Sequence, residues 1–324
     1  MIVAPGRLIV QREHAGLRAD VYFALRLPGL SRTRIRQKIQ TGESLLNGRR
    51  YATSARLREG DTITMDWRGT LPGTPAPALD ILFEDQWILA LDKPAGIASH
   101  PMGRTQSGTA IQFARERDAE AIAAHLARGD AGFYPRLVHR LDVFTSGVLI
   151  VARTNEGFRE MQRLVEARRF SKTYLSVVEG IVDDEEGRIE GAIGRDPSSA
   201  VGLKMAVTRE GLPAVTDYAV VRRLAGHTLV RAFPLTGRQH QVRLHFASIG
   251  HPVWGDLLYK DEKLFLRYQD SLAGLGEPPD PPLPPRHLLH AEAVSFVHPF
   301  TGKAMEICSP LPADFSLIIG RLSP

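Results

Sequence analysis

The sequence predicts an α+β protein in two parts, and three observations lead there. Short runs of strand type, bounded by Gly, Pro, Asn or Asp, recur along the chain. A few amphipathic stretches at helical spacing interrupt them. A proline-stiffened break at 71–79, with Pro72, Gly73, Pro75 and Pro77, separates a short N-terminal part, 1–70, from a long remainder, 80–324.

In the first part, residues 17–27 read as a short helix with Leu17, Val21, Ala24 and Leu25 on one face, stopped by Pro28-Gly29. Ser31 is a good N-cap for a second helix, 32–40. That helix carries Arg32, Arg34, Arg36 and Lys38, with Ile35 and Ile39 as apolar anchors. Strand candidates follow at 44–46 and 49–52 about an Asn47-Gly48 turn, and at 62–66 after Glu59-Gly60-Asp61. The whole chain has a net charge of only +5, yet residues 1–70 hold 13 Lys and Arg against 6 Asp and Glu. Charge of one sign confined to one helix points to a phosphate-binding surface rather than an ordinary solvated face.

The second part opens with a hairpin candidate, 81–83 and 87–91, about Glu84-Asp85, followed by a Pro94-Ala95-Gly96 turn. A helix is expected over 109–127, a loop over 129–134 and an apolar strand over 148–152. Residues 156–167 form an amphipathic helix with Phe158, Met161, Leu164 and Val165 on one face. Strands follow at 170–179, 215–224 and 228–234, with a polar, turn-rich segment over 181–215. The proline-rich stretch 271–285 reads as an extended, mobile loop, and 298–303 as a hairpin turn.

Composition narrows the function. The chain is 43% hydrophobic and 24% charged over 324 residues, as globular proteins are. The single Cys308 excludes an internal disulfide and any Cys-based zinc site. No apolar run approaches membrane-spanning or signal-peptide length, so a cytoplasmic protein without a membrane partner is expected. The His and Arg residues of 235–245 lack the helical His pair with an intervening Glu that would suggest metal. With neither a nucleotide fingerprint nor a phosphate loop, no metal and no cofactor are expected.

The stretch around which the chain is organised runs from 135 to 154. It contains His139-Arg140-Leu141-Asp142, then Thr145-Ser146-Gly147, then the apolar run from Val148. Asp142 therefore sits on a loop feeding a buried strand, exposed yet held by a rigid element. An isolated Asp before Thr and Ser is more often a simple turn former. This stretch, however, resembles the signature of the RluA-type RNA pseudouridine synthases: His-Arg-Leu-Asp, two variable residues, Thr-Ser-Gly. Asp92-Lys93-Pro94-Ala95-Gly96, Lys172-Thr173-Tyr174, the run from Thr236-Gly237-Arg238 through His240-Gln241-Val242-Arg243-Leu244-His245, and Leu289-His290-Ala291 resemble the family's other signatures, in order. The likeness covers roughly 80–311. Residues 16–67 resemble the ribosomal-protein S-four-type (αL) RNA-binding domain. Val143-Phe144 and Ala98-Ser99 depart from the usual residues at their positions.

The resemblance implies a mixed, mainly antiparallel sheet with flanking helices, and isomerisation of uridine to pseudouridine within structured RNA. Large-subunit ribosomal RNA is the expected substrate, with transfer RNA as the alternative and monomeric action expected. It implies Asp142 as the catalytic residue, Tyr174 as the active-site tyrosine, and Arg243 as the partner that keeps Asp142 ionised, with Arg238 next in line. Neighbouring side chains on an extended segment point apart, so Arg140 is expected to face the RNA and fill the space left by the target base. A non-catalytic RNA-binding protein on the same fold would not require Asp, Tyr and Arg together. A nucleoside hydrolase would call for a second carboxylate near Asp142.

Overall fold

The computed structural model describes residues 7–26, 32–65, 76–102, 105, 107–127, 133–202, 204–272 and 286–323. The expected N-cap Ser31, most of the proline-rich break and residues 273–285 lie outside them. Two bodies of secondary structure are visible, each with its own apolar core.

The N-terminal body consists of β1 (Arg7–Ile9), α1 (Ala19–Arg26), α2 (Arg32–Thr41), β2 (Ser44–Leu46) and β3 (Thr62–Met65). Its sheet has the order β1-β3-β2, all antiparallel. Ile35 and Ile39 of α2 pack with Tyr22, Phe23, Leu57 and Ile63, as the apolar anchors required. Residues 49–52 form no strand. The Asn47-Gly48 turn closes on a single bridge, Leu46 to Arg49, and β2 pairs instead with β3. Asn47 explains the choice: its side chain binds the amide of Thr62 and the carboxylate of Asp61, tying the turn to the later strand.

The larger body holds β4 (Asp80–Glu84), β5 (Ile88–Lys93), α3 (Ala110–Arg117), α4 (Ala119–Ala127), β6 (Phe133–Leu137), β7 (Ser146–Thr154), α5 (Asn155–Glu166), β8 (Phe170–Glu179), β9 (Glu186–Glu190), β10 (Ile193–Arg195) and β11 (Met205–Val207). Then come β12 (Val215–Leu224), β13 (His227–Pro234), α6 (Gln241–Ser248), α7 (Leu257–Lys260), α8 (Glu262–Leu272), β14 (Leu289–Val297), β15 (Ala304–Cys308) and α9 (Ala313–Leu322). A ten-stranded sheet runs β4-β5-β7-β14-β8-β13-β12-β9, with β15 beside β14 and β6 beside β7. All its pairings are antiparallel except β7 with β14.

Both faces of the central strands are covered. Leu89, Leu91, Leu149 and Val151 pack with α3 and with Phe246 of α6. Their alternates Ile88, Ala90, Val148 and Ile150 pack with Met161 of α5. Val165, expected on the apolar face of α5, is 36% exposed instead, one turn past Met161. The helix expected over 109–127 is two helices. Asp118 breaks it, because its carboxylate takes Nε and Nη2 of Arg153 on β7. The loop expected over 129–134 gives way at Phe133 to β6, which pairs with the far half of β7.

The parallel contact of β7 with β14 spans only Ser146–His290 and Gly147–Ala291. It is close: a Cβ on Gly147 would lie 2.2 Å from the carbonyl oxygen of Ala291, and Gly147 has φ +114°. The glycine of Thr-Ser-Gly is thus required by sheet packing and backbone conformation together. It brings the loop that precedes β7 to the middle of the sheet.

Candidate active site

Asp142 lies on the loop between β6 and β7, and almost every residue around it is held from another element. The Ser99 hydroxyl donates to the carbonyl of Leu141 at 2.7 Å and accepts from its amide at 3.1 Å. The Val143 carbonyl receives the amide of Gly96 at 2.8 Å and the ammonium of Lys93 at 3.1 Å. Arg286 donates to the carbonyl of Phe144 at 3.2 Å. Thr145 shares a hydrogen bond with His287, and Ser146 with His290. A loop fastened at this many points presents its side chains with little freedom, which a reaction requiring aligned groups demands.

Lys93 ends β5 with no exposed surface. Its ammonium donates to the carbonyls of Pro94, Ile97 and Val143, using all three N–H groups. Burial lowers its pKa to about 7, with Asp142 acting in the opposite direction. The Lys-Pro-x-Gly stretch is therefore a clamp on the loop that carries Asp142 as well as a turn.

The charged centre is a chain of three residues. Arg243 donates from Nη1 to Asp142 at 2.8 Å, and from Nη2 and Nε to the two oxygens of Asp256. Both Arg243 and Asp256 are buried, whereas the Asp142 side chain is 27% exposed and is the open end of the chain. Burial by itself raises the pKa of Asp142. The Arg243 guanidinium, His240 and His287 together outweigh this, and the net result is about 2. Burial opposes the charge of Arg243, but Asp256 and then Asp142 hold its pKa above the ordinary value. The side chain of Tyr259 lies under the guanidinium, 5.1 Å from ring centroid to Cζ. It also bonds Nδ1 of His240 at 2.8 Å. His240 takes the left-handed conformation (φ 56°) just before α6, and its Nε2 is 3.9 Å from Asp142. Burial, then Arg243, lowers its pKa to about 4, so the imidazole near Asp142 is neutral at pH 7.

The other expected residues distribute as follows. Tyr174 on β8 is buried, and burial followed by the charge of Asp142 raises its pKa. Arg140 is exposed, with its guanidinium turned to His100 at 3.5 Å rather than to Asp142. Arg238 precedes α6 and donates to the carbonyl of Pro213 at 3.2 Å. Phe144, beside Asp142, is 47% exposed with its edge toward His287. Of the four cations assigned to α2, Lys38 is paired within the chain. Its side chain is buried and its ammonium sits on Glu43 at 2.7 Å, because the i+5 carboxylate folds back under the helix end. Arg36 is exposed and lies 3.3 Å from the buried Asp20. The side chains of Arg32 and Arg34 lie outside the described residues. Among the described residues, no group of three or more His, Cys, Asp and Glu could hold a metal ion, and no helix is long and apolar enough to cross a membrane.

Asp256, Ser99 and Arg286 lie in the network around Asp142 without having been assigned a role from the motifs. Ser99 stood out as a departure within a stretch that otherwise continues the resemblance.

Residues 87–248 match the RNA pseudouridylate synthase family. The chain is 33% identical to ribosomal large subunit pseudouridine synthase D of Xanthomonas campestris pv. campestris, covering 97% of this chain and 91% of that one. It is 30% identical to an uncharacterized RNA pseudouridine synthase of Bacillus subtilis, covering 97% of each. The structure of human RNA pseudouridylate synthase domain containing 1 superposes with a TM-score of 0.51 at 27% identity, over 75% of this chain and 86% of that one. The chain belongs to the RNA pseudouridine synthase family, whose members are isomerases.

Proposed function

We propose that this enzyme isomerises a uridine of large-subunit ribosomal RNA, with Asp142 as its catalytic residue. The observation that carries the assignment of Asp142 is the guanidinium shared with Asp256. A carboxylate entering a closed site against a base would otherwise take up a proton, and Arg243 keeps it ionised. Relatives named for the large ribosomal subunit, aligned over almost the whole chain, support the choice of RNA.

The reaction breaks the bond from the sugar to the base nitrogen, turns the base, and joins the sugar to a base carbon; that carbon gives up its proton, and the freed nitrogen takes one up. The ionised Asp142, at the open end of the charged chain, is the group that faces the nucleotide. Tyr174 acts as a neutral phenol, since burial and Asp142 both oppose its ionisation; its ring is suited to stack on the extruded base. Arg140, exposed on the same loop, enters the space the base leaves in the RNA, which offsets part of the unstacking cost of a few kcal/mol. The N-terminal body, 1–70, serves as an S-four-type RNA-binding module joined by the 71–79 linker to the catalytic part, 80–324.

Pseudouridine mapping of total RNA from cells with and without the gene tests the substrate, and complementation with Asp142→Asn tests the residue. The expected result is one or more large-subunit sites that vanish on deletion and stay absent with the variant. Sites lost from transfer RNA alone would overturn the choice of RNA. Sites restored by Asp142→Asn would overturn the choice of residue.

A further inference from the structure

Lys172 lies on β8 two residues before Tyr174 and so on the same face of that strand. Its side chain is only partly exposed, and burial lowers its pKa. Other lysines with restricted exposure have their ammonium groups occupied: Lys93 by three carbonyls, Lys38 by Glu43, and Lys204 by Glu262. Among the described residues, nothing hydrogen-bonds or ion-pairs with Lys172. The neutral imidazole of His139 is near enough to feel its charge, and burial is the main cause that holds that ring unprotonated. A Cβ on Gly237 would sit 3.5 Å from Nζ, so the ammonium lies against the loop 235–240.

A desolvated charge without a counter-ion costs stability. A protein retains one where a ligand supplies the missing charge, and this one lies beside the loop 235–240 that leads to His240 and Arg243. We propose that Lys172 is a phosphate-binding residue that takes a backbone phosphodiester of the RNA strand next to the extruded nucleotide. The proposal rests on the assignment of this face as the RNA site. A carboxylate ligand is the less suitable occupant, because the substrate strand brings one phosphate per nucleotide to this face, and a point charge such as an ammonium suits a phosphate oxygen.

Lys172→Met, which keeps the stem and removes the charge, should have two linked effects. Affinity for an unmodified large-subunit ribosomal RNA transcript should fall about tenfold at low salt, as expected for one charge-assisted hydrogen bond. The slope of log affinity against log salt should become shallower by about 0.7 to 0.9, the equivalent of one phosphate. The free protein should melt at the same temperature or higher, because an uncompensated charge has been removed. A structural lysine would give the opposite pattern, a lower melting temperature with an unchanged slope, and that result overturns the proposal. An unchanged slope with unchanged stability overturns it equally. Lys172→Gln, which retains polarity without charge, should show the same loss of slope; a parental slope in that variant contradicts the proposal. Failure of the underlying assignment looks different: the parent enzyme would form no pseudouridine in the transcript, whatever residue 172 is.

Discussion

Asp256 takes Nε and Nη2 of Arg243 and leaves Nη1 pointing at Asp142. The arginine is thereby aimed before any substrate arrives. A planar guanidinium held on two edges cannot swing away, so the charge that keeps Asp142 ionised is fixed in place as well as in sign. The position of the charge beside Asp142 depends on a second carboxylate, Asp256, that Asp142 does not touch.

This arrangement predicts an order of effects. Arg243→Lys keeps a charge but loses the fork, so it should abolish most turnover while the protein stays folded. Asp256→Asn should reduce single-turnover rate substantially with RNA binding within a few-fold, and should destabilise the fold by about 3 kcal/mol, the order expected when one partner of a buried pair is removed. Arg238→Lys, at a residue bonded to the Pro213 carbonyl, should have the smallest effect of the three. Measurement of single-turnover rates at saturating RNA, with melting curves alongside, checks the order; a larger loss for Arg238→Lys than for Arg243→Lys would reverse the assignment.

The pKa of Asp142 sets the acid limb. Its carboxyl has a folded value of about 2 against an ordinary 3.8. A group depressed in the folded state contributes stability above its unfolded value, and that contribution is lost as pH falls through the folded one. The window is therefore pH 3.8 down to about 2. If Asp142 carries the reaction as proposed, the rate at saturating RNA should be flat from neutral pH down to about 5, with no inflection from its carboxyl. Arg243→Lys should bring an inflection upward into the measurable range. A wild-type profile that falls with a midpoint between about 5 and 6 would show that Asp142 titrates there and that the ion pair does not hold it.

Gly147 offers a test of the fold rather than the chemistry. Gly147→Ala meets the Ala291 carbonyl at 2.2 Å while φ is +114°. Opening the β7–β14 pairing should cost about 3 kcal/mol or more, read as a lower melting temperature, and it should displace the loop that carries Asp142. A variant that melts like the parent would mean the strands can separate there without penalty.

The N-terminal body should contribute affinity more than chemistry. Deletion of 1–70 should weaken RNA binding and flatten its salt dependence by about 0.7 to 0.9 for each phosphate no longer neutralised. The contributors proposed on α2 are Arg32, Arg34, Arg36 and Lys38, of which Arg36 is paired with Asp20 and Lys38 with Glu43. Single-turnover formation of pseudouridine at saturating RNA should persist. If the truncated protein binds well but does not react, the N-terminal body completes the active site, and the division into a binding part and a catalytic part is wrong.

What the sequence determined by itself was local. Periodicity located α1, α2 and α5, alternation located β8, β12 and β13, and the motif residues Asp142, Tyr174 and Arg243 were legible because their signatures are contiguous. What only the tertiary structure decided was pairing across the chain. Asp142 and Arg243 are 101 residues apart, and no local propensity states which arginine of 238–243 will reach the carboxylate. The entry to α6 decides it: with His240 in the left-handed region, the turn before the helix leaves Arg238 on Pro213, while Arg243, inside the helix, projects to the centre of the sheet. The same cause explains Asp118, whose carboxylate meets Arg153, 35 residues further along the chain. Helices and strands follow from backbone sterics and side-chain period, which act within a few residues. Ion pairs follow from where the chain returns to itself, which depends on the whole packed core.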